Sequence, residues 1–273
     1  MMVSNRRILS IDFEVSISVD ISMSRSMRCQ RARFSARAIV LLCLAANLDA
    51  APEPGFLPLF NGNDLDGWTG SPEFWRVENG AIVGETSETL QPKDGKNTFL
   101  IYEDDSFDDF ELRFEYRVDG FNSGVQYRSV ADDQWHVRGL QADFEAQWHN
   151  DGTVDRFSGM FFEEGGRMFM GQRGDVVIVR ANPEEPKKPQ IEKIGSVGAP
   201  EELETVIRRD DWNDYTVIAN GNQFLHMING RAMSIGIDED QINHRKSGVL
   251  AFQLHSGNPM KIQVRNLRIR RLP

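Results

Sequence analysis

Much of the chain alternates apolar and polar residues with a period of two. In FELRFEYRVDG, Phe110, Leu112, Phe114 and Tyr116 alternate with Glu111, Arg113, Glu115 and Arg117. Successive side chains of a strand point to opposite faces, so this segment has one apolar side and one charged, solvated side. The same rhythm runs through Val125 and Tyr127, through Leu140, Ala142 and Phe144, and through Leu250, Phe252 and Leu254. Turn pairs punctuate it: Asn79-Gly80, Gly165-Gly166, Asn220-Gly221 and Asn229-Gly230. Asn-Gly accepts positive φ at both positions and favours two-residue hairpin loops. Strands joined by tight turns predict an antiparallel all-β sandwich, with Trp68 as a core plug.

Two stretches depart from this rhythm. Residues 181–211 carry Pro183, Pro186, Pro189 and Pro200 with mixed charge, which predicts a long surface loop with a short helix in PEELETVI. The closing segment MKIQVRNLRIRRL slips phase near Asn266, as a β-bulge requires. No internal repeat is visible.

Residues 1–50 read as a leader: Arg25, Arg28, Arg31, Arg33 and Arg37 precede the apolar run Ala38 to Ala46, with small residues Ala50 and Ala51 behind it. Residues 1–22 are longer than such a leader needs, which points to a true start at Met23 or Met27. The expected product, 51–273, is one secreted or periplasmic domain, free of the membrane once the leader is removed. Both cysteines, Cys29 and Cys43, fall in the leader, so the remainder has no disulfide, thiolate nucleophile or cysteine metal site. Without the leader 24 basic and 37 acidic residues remain, a net charge of −13. That charge repels phosphate backbones and argues against a nucleic-acid partner.

The polar halves of three strands change the picture. Gln141, Asp143 and Glu145 share one face, and so do Gln126 and Arg128, and Gln253 and His255. A single such row would be ordinary wetted surface. Three of them offer amides beside ionisable groups on separate strands, a pattern suited to a binding face. Trp135, Trp148 and Trp212 are either core residues or stacking platforms for sugar.

The strings LFNGNDLDGW, NSGVQYRS, VRGLQADFEA, SGMFFEEGGR, QRGDVVIV, DWNDYTV, MINGRAM and GVLAFQLHSGNPMKIQVRNLRIRRL occur in that order. In order and spacing they resemble the 3-keto-disaccharide hydrolase-like family, formerly a domain of unknown function, over nearly all of Phe56 to Pro273. The resemblance implies a concanavalin A-like jelly roll of two antiparallel sheets, one of them concave and able to hold sugar. It also implies cleavage of disaccharides or glucosides already oxidised at C3 by a separate sugar oxidoreductase. The chain departs from the family pattern at Phe161-Phe162, where a tyrosine is expected.

A 3-ketone acidifies the hydrogen at C2, so a base can remove it and the oxygen at C1 can leave by elimination before water adds. The residue chemistry assigns His255 as the base, Asp143 as the alternative base or the group orienting it, and Arg128 as the enolate stabiliser. Gln126, Gln141, Glu145 and Gln253 are then substrate-binding, with Glu164 and Arg167 adding an acid and a positive anchor. His226, near a turn, ranks below His255. No cofactor is required, although Asp143, Glu145, Glu164 and His255 would suit a divalent cation if they converged. The competing reading is a non-catalytic carbohydrate-binding domain, because jelly rolls host lectins as readily as enzymes.

Overall fold

A computed structural model of the protein describes residues 53–132, 134–145 and 157–273. The leader and Trp148 lie outside these residues. The larger sheet runs Gln190–Ser196, Asp175–Arg180, Arg231–Asp238, Gln223–Ile228, Asn213–Asn220, Phe110–Asp119, Lys261–Arg271, Ala81–Glu85, Trp75–Glu78. The two-residue strand Leu57–Pro58 adds to Lys261–Arg271. The smaller sheet runs Met168–Gly171, Phe161–Glu164, Val137–Glu145, Asn122–Ala131, Val249–Leu254, Thr98–Tyr102, Trp68–Thr69. Among the described residues every pairing is antiparallel except that of Asp175–Arg180 with Arg231–Asp238. Sequence neighbours repeatedly land in different sheets, giving the jelly-roll sandwich.

The apolar halves of the alternating strands meet between the sheets. Phe114 packs edge-on against Phe252 at 5.4 Å between ring centroids, and Tyr116 lies 4.4 Å from Phe144. Trp68 is the expected plug, buried beside Phe252, its indole N–H donating to the Leu59 carbonyl at 2.7 Å. Aromatic pairs of this kind add to the transfer free energy of the buried surface. On the outside of the larger sheet, Glu115 pairs with Arg265 at 2.7 Å and Arg113 with Glu53 at 2.5 Å, so the charged side is a lattice of ion pairs.

Asn79 and Gly80 (φ 52° and 74°) and Asn229 and Gly230 (φ 49° and 76°) form the expected tight loops. The third loop sits one residue later than the sequence suggests. Asn220 still pairs with Gln223, so Gly221 and Asn222 make the turn. The expected bulge falls at Asn266, where φ is 51° and the register shifts between Arg265 and Arg268. Residues 181–211 hold more regular structure than a loop. Gln190–Ser196 is an edge strand exposed on both faces, so burial imposed no alternation on it. The helix is Pro200–Glu204, anchored by buried Leu203. Among the described residues no helix is long and apolar enough to cross a membrane.

Candidate active site

The outer face of the smaller sheet is a floor, not a wetted surface. Gln141, Asp143 and Gln253 project from it and are all but fully buried, because flanking segments rise around them. The strand register explains their meeting. Gly124 pairs with Asp143 and Gln126 with Gln141, while Ala251 pairs with Gln126 on the other side, which carries Gln253 toward Gly124. Gly124 has no side chain, so Gln141 lies over it and its Nε2 reaches Gln253 Oε1 at 3.4 Å. A Cβ at Gly124 would sit 2.6 Å from Gln141 Cγ. Gly124→Ala is therefore expected to cost about 1–3 kcal/mol through overpacking and to break the amide chain. A denaturation midpoint equal to that of the wild type would contradict this packing.

Hydrogen bonds tie this floor to two carboxyl groups. Gln141 Nε2 donates to Asp143 Oδ1 at 2.6 Å, and Gln253 Nε2 donates to Glu164 Oε2 at 2.9 Å. Asp143 Oδ2 has no partner among the described residues. Burial pushes the Asp143 carboxyl up to about 8, against the hydrogen bonds from Gln141 and Asn122. At neutral pH it holds a proton. Burial also raises Glu164, opposed by the Gln253 hydrogen bond, the charge of His255 and a hydrogen bond from Asn97. His255 is half-buried, its ring edge-on to Phe121 at 4.7 Å, and its Nδ1 lies 2.7 Å from the Ser256 carbonyl oxygen. A carbonyl only accepts, so Nδ1 carries the hydrogen and Nε2 is the ring nitrogen left to face the cleft as donor or acceptor.

Together these groups line a cleft of about 700 Å³, solvent mouth included. Asn97 and Asn122 add amides to the polar part of the lining. Phe157, Met160, Phe162, Met168 and Phe169 add an apolar part to the lining that the alternation pattern did not mark as functional. Phe121 follows a turn glycine and Phe157 and Met160 precede a strand, so none of the three belongs to a readable period, whereas Asn122 opens the strand that carries Gly124 and Gln126 on the same face. The only sequence signal was a cluster of large apolar residues, Met160 to Met170, too dense for a half-buried hairpin.

The structure brings together His255, Asp143, Gln141, Gln253 and Glu164, but it places four other expected residues elsewhere. Gln126 lies under the floor, hydrogen-bonded to the Gln141 amide and fully buried. Arg128 leaves the row because the register breaks between Tyr127 and Val130 and its own φ is 47°. Its guanidinium donates to the Asp108 and Gly221 carbonyls and to Asp109 Oδ1, at 2.6–2.7 Å. It cannot stabilise an enolate in the cleft. Glu145 ends its strand by accepting the backbone N–H groups of Phe157 (2.6 Å) and Ser158 (3.2 Å), so it pins the cleft wall instead of facing substrate. Arg167 is buried among Glu163, Asp238 and Asp240, which makes it a structural cation rather than a substrate anchor.

His226 is a core histidine that burial pushes down to about 4, with Tyr127 Oη 3.0 Å from Nε2 and the Met160 carbonyl 3.0 Å from Nδ1. Trp135 packs with Phe99, Ile101 and Val137, and Trp212 lies under Arg265 on the other sheet. Neither lines the cleft. Among the described residues no three His, Cys, Asp or Glu side chains gather closely enough to hold a metal ion, since Glu145 is turned away from Asp143.

The chain belongs to the 3-keto-α-glucoside-1,2-lyase-like domain family, whose model matches residues 55–270. By its description this is a carbohydrate-active family. No curated protein matches the chain. Among solved structures, it is similar to a protein from Parabacteroides distasonis ATCC 8503 provisionally named a glycosyl hydrolase. They are 18% identical with a TM-score of 0.50, over 80% of this chain and 99% of that one. It is also similar to the carbohydrate-binding module CBM66 of Bacillus subtilis, 14% identical with a TM-score of 0.46, over 75% and 95% of the two chains. At 18% identity the first of these likenesses speaks for the fold alone.

Proposed function

We propose that the protein cleaves 3-keto-glycosides by taking the proton at C2, eliminating the group at C1 and hydrating the product. The observation that carries this reading is the placement of Asp143 in the cleft lining, a carboxyl that burial pushes up to about 8 and whose Oδ2 has no partner among the described residues. An ordinary glycosidase needs an ionised carboxylate opposite an acid. An enolate needs a hydrogen-bond donor at its oxygen, which a protonated carboxyl supplies and a carboxylate does not.

In this mechanism His255 Nε2 takes the C2 proton and the electron pair moves onto the ketone oxygen, to which Asp143 Oδ2–H donates. The enolate then collapses, the C1–C2 double bond forms and the C1–O bond breaks. The leaving oxygen recovers a proton from the imidazolium. Water adds across the double bond, so the net reaction is hydrolysis. Glu164, whose carboxyl feels the charge of His255, favours the imidazolium while it lasts. Gln141, Gln253, Asn97 and Asn122 offer their remaining donors and acceptors to sugar hydroxyls. The substrate must come from a sugar 3-oxidoreductase acting first, and the leader over residues 1–50 would deliver the protein to the periplasm or the exterior.

The test is incubation with a 3-keto-glucoside beside the same glucoside unoxidised, with and without a chelator. Release from the keto form alone, indifferent to chelation, is expected. Equal release from both would overturn the enolate chemistry. Saturable binding without release would favour the second reading, a sugar-binding domain, for which the amide-lined floor is the supporting observation.

A further inference from the structure

The lining of the cleft is of two kinds. Amide and ionisable side chains serve the ketone-bearing sugar, while Phe157, Phe162 and Phe169 pack together as an apolar part of the same lining, joined by Met160 and Met168. Two of these are large apolar side chains left in water: Phe169 is 52% exposed and Met168 is 44% exposed. Phe169 is held in place, stacked on Phe157 at 6.0 Å and edge-on to Phe162 at 5.2 Å. Met168 adopts φ 63°, a conformation unfavourable for a long side chain. Such strain tends to persist where function uses it. A rigid, exposed aromatic shelf beside a polar pocket is a binding surface for apolar matter.

We infer that the group leaving C1 is an apolar, aromatic aglycone seated on this shelf, so that the substrate is an aryl 3-keto-glucoside rather than a disaccharide. This rests on the reading proposed above and names its substrate class. A second sugar placed here would lose water from its hydroxyls against side chains that offer no hydrogen bond, an unfavourable exchange. An aryl group instead buries its ring against Phe169 and Met168. The chemistry agrees. In the elimination the C1–O electrons pass to a phenolic oxygen, a better leaving group than a sugar alkoxide, and the proton taken from C2 returns to that oxygen. The C1–C2 double bond then accepts water, and atoms and electrons balance without a co-reactant.

The experiment compares phenyl and methyl 3-keto-α-glucosides with the wild type, Phe169→Ala and Phe169→Trp. It also measures binding of unoxidised phenyl glucoside and of trehalose by calorimetry. The expected result is that Phe169→Ala lowers the phenyl-over-methyl preference in kcat/KM about tenfold and that Phe169→Trp keeps it. Using a ratio removes the intrinsic difference between leaving groups. Turnover of both substrates with a preference unchanged in Phe169→Ala would overturn the inference and leave the enolate reading standing. Phe169-dependent binding of phenyl glucoside over trehalose, with no turnover of any keto substrate, would support the shelf and sink the chemistry. Tighter binding of trehalose than of phenyl glucoside would overturn the shelf whatever the turnover.

Discussion

Asp143→Asn is expected to lower turnover of a 3-keto-glucoside by up to about 10²–10³-fold, the range for weakening or loss of an oxyanion-stabilising donor, while leaving the fold intact or more stable. The Asn side chain matches a protonated Asp in shape and still accepts from Gln141. Its Nδ2–H is a far weaker acid than Oδ2–H and so a weaker hydrogen-bond donor to the enolate oxygen. The wild-type pH profile should carry the same signature. Asp143 is raised to about 8, so turnover should fall as pH rises through about 8 and the acid form is lost.

Stability should report the same group with a defined sign. An unfolded Asp releases its proton near 3.8, whereas the folded one keeps it to about 8. Within that window the folded state binds the extra proton. The stability due to Asp143 is therefore complete below about 4 and declines as pH rises toward 8, by at most ~1.4 kcal/mol per pH unit. Asp143→Asn should remove this slope, and Tm at pH 8 should equal or exceed that of the wild type. His255→Ala should match the loss of turnover without changing that slope. Full activity in Asp143→Asn, or a wild type whose turnover climbs steadily to pH 10, would contradict the assignment.

Arg167→Ala should be the most destabilising of the substitutions considered, by roughly 3–5 kcal/mol. Its guanidinium donates to both oxygens of Asp238 at 2.8 Å, to Asp240 at 3.2 Å and to Glu163. All four side chains are buried. Removing the cation strands three carboxylates that water cannot reach. Arg167 also anchors the hairpin that carries Glu164, Met168 and Phe169, so cleft geometry should loosen as the fold does. Urea denaturation decides the case. A raised KM with an unchanged unfolding midpoint would return Arg167 to the role of substrate anchor.

What the sequence made legible follows from which forces act on neighbours in the chain. The alternation of Phe110 to Tyr116 and of Leu140 to Phe144 records burial against the opposite sheet, and the Asn-Gly pairs record backbone sterics. Both are local, so sandwich and hairpins could be read directly. The floor of the cleft was legible for the same reason, because Gln141 and Asp143 share a face of one strand. Arg128 was misread because a single residue at φ 47° reverses the face of everything after it, and no residue type there announces it. Glu145 and Arg167 were misread because their partners, the amides at 157–158 and the carboxylates of Asp238 and Asp240, come from distant parts of the chain. The Phe169 shelf belongs to a hairpin whose outer side had no visible reason to be apolar until the cleft was seen beside it.

Removal of the C2 proton is the central claim, and isotope exchange tests it most directly. The measurement is turnover of a 3-keto-glucoside carrying deuterium at C2, beside the protiated substrate and beside His255→Ala. A primary isotope effect on kcat/KM, or loss of the C2 deuterium to solvent, both abolished by His255→Ala, is the predicted result. Glycosidic cleavage at equal rates with the C2 deuterium fully retained would contradict it.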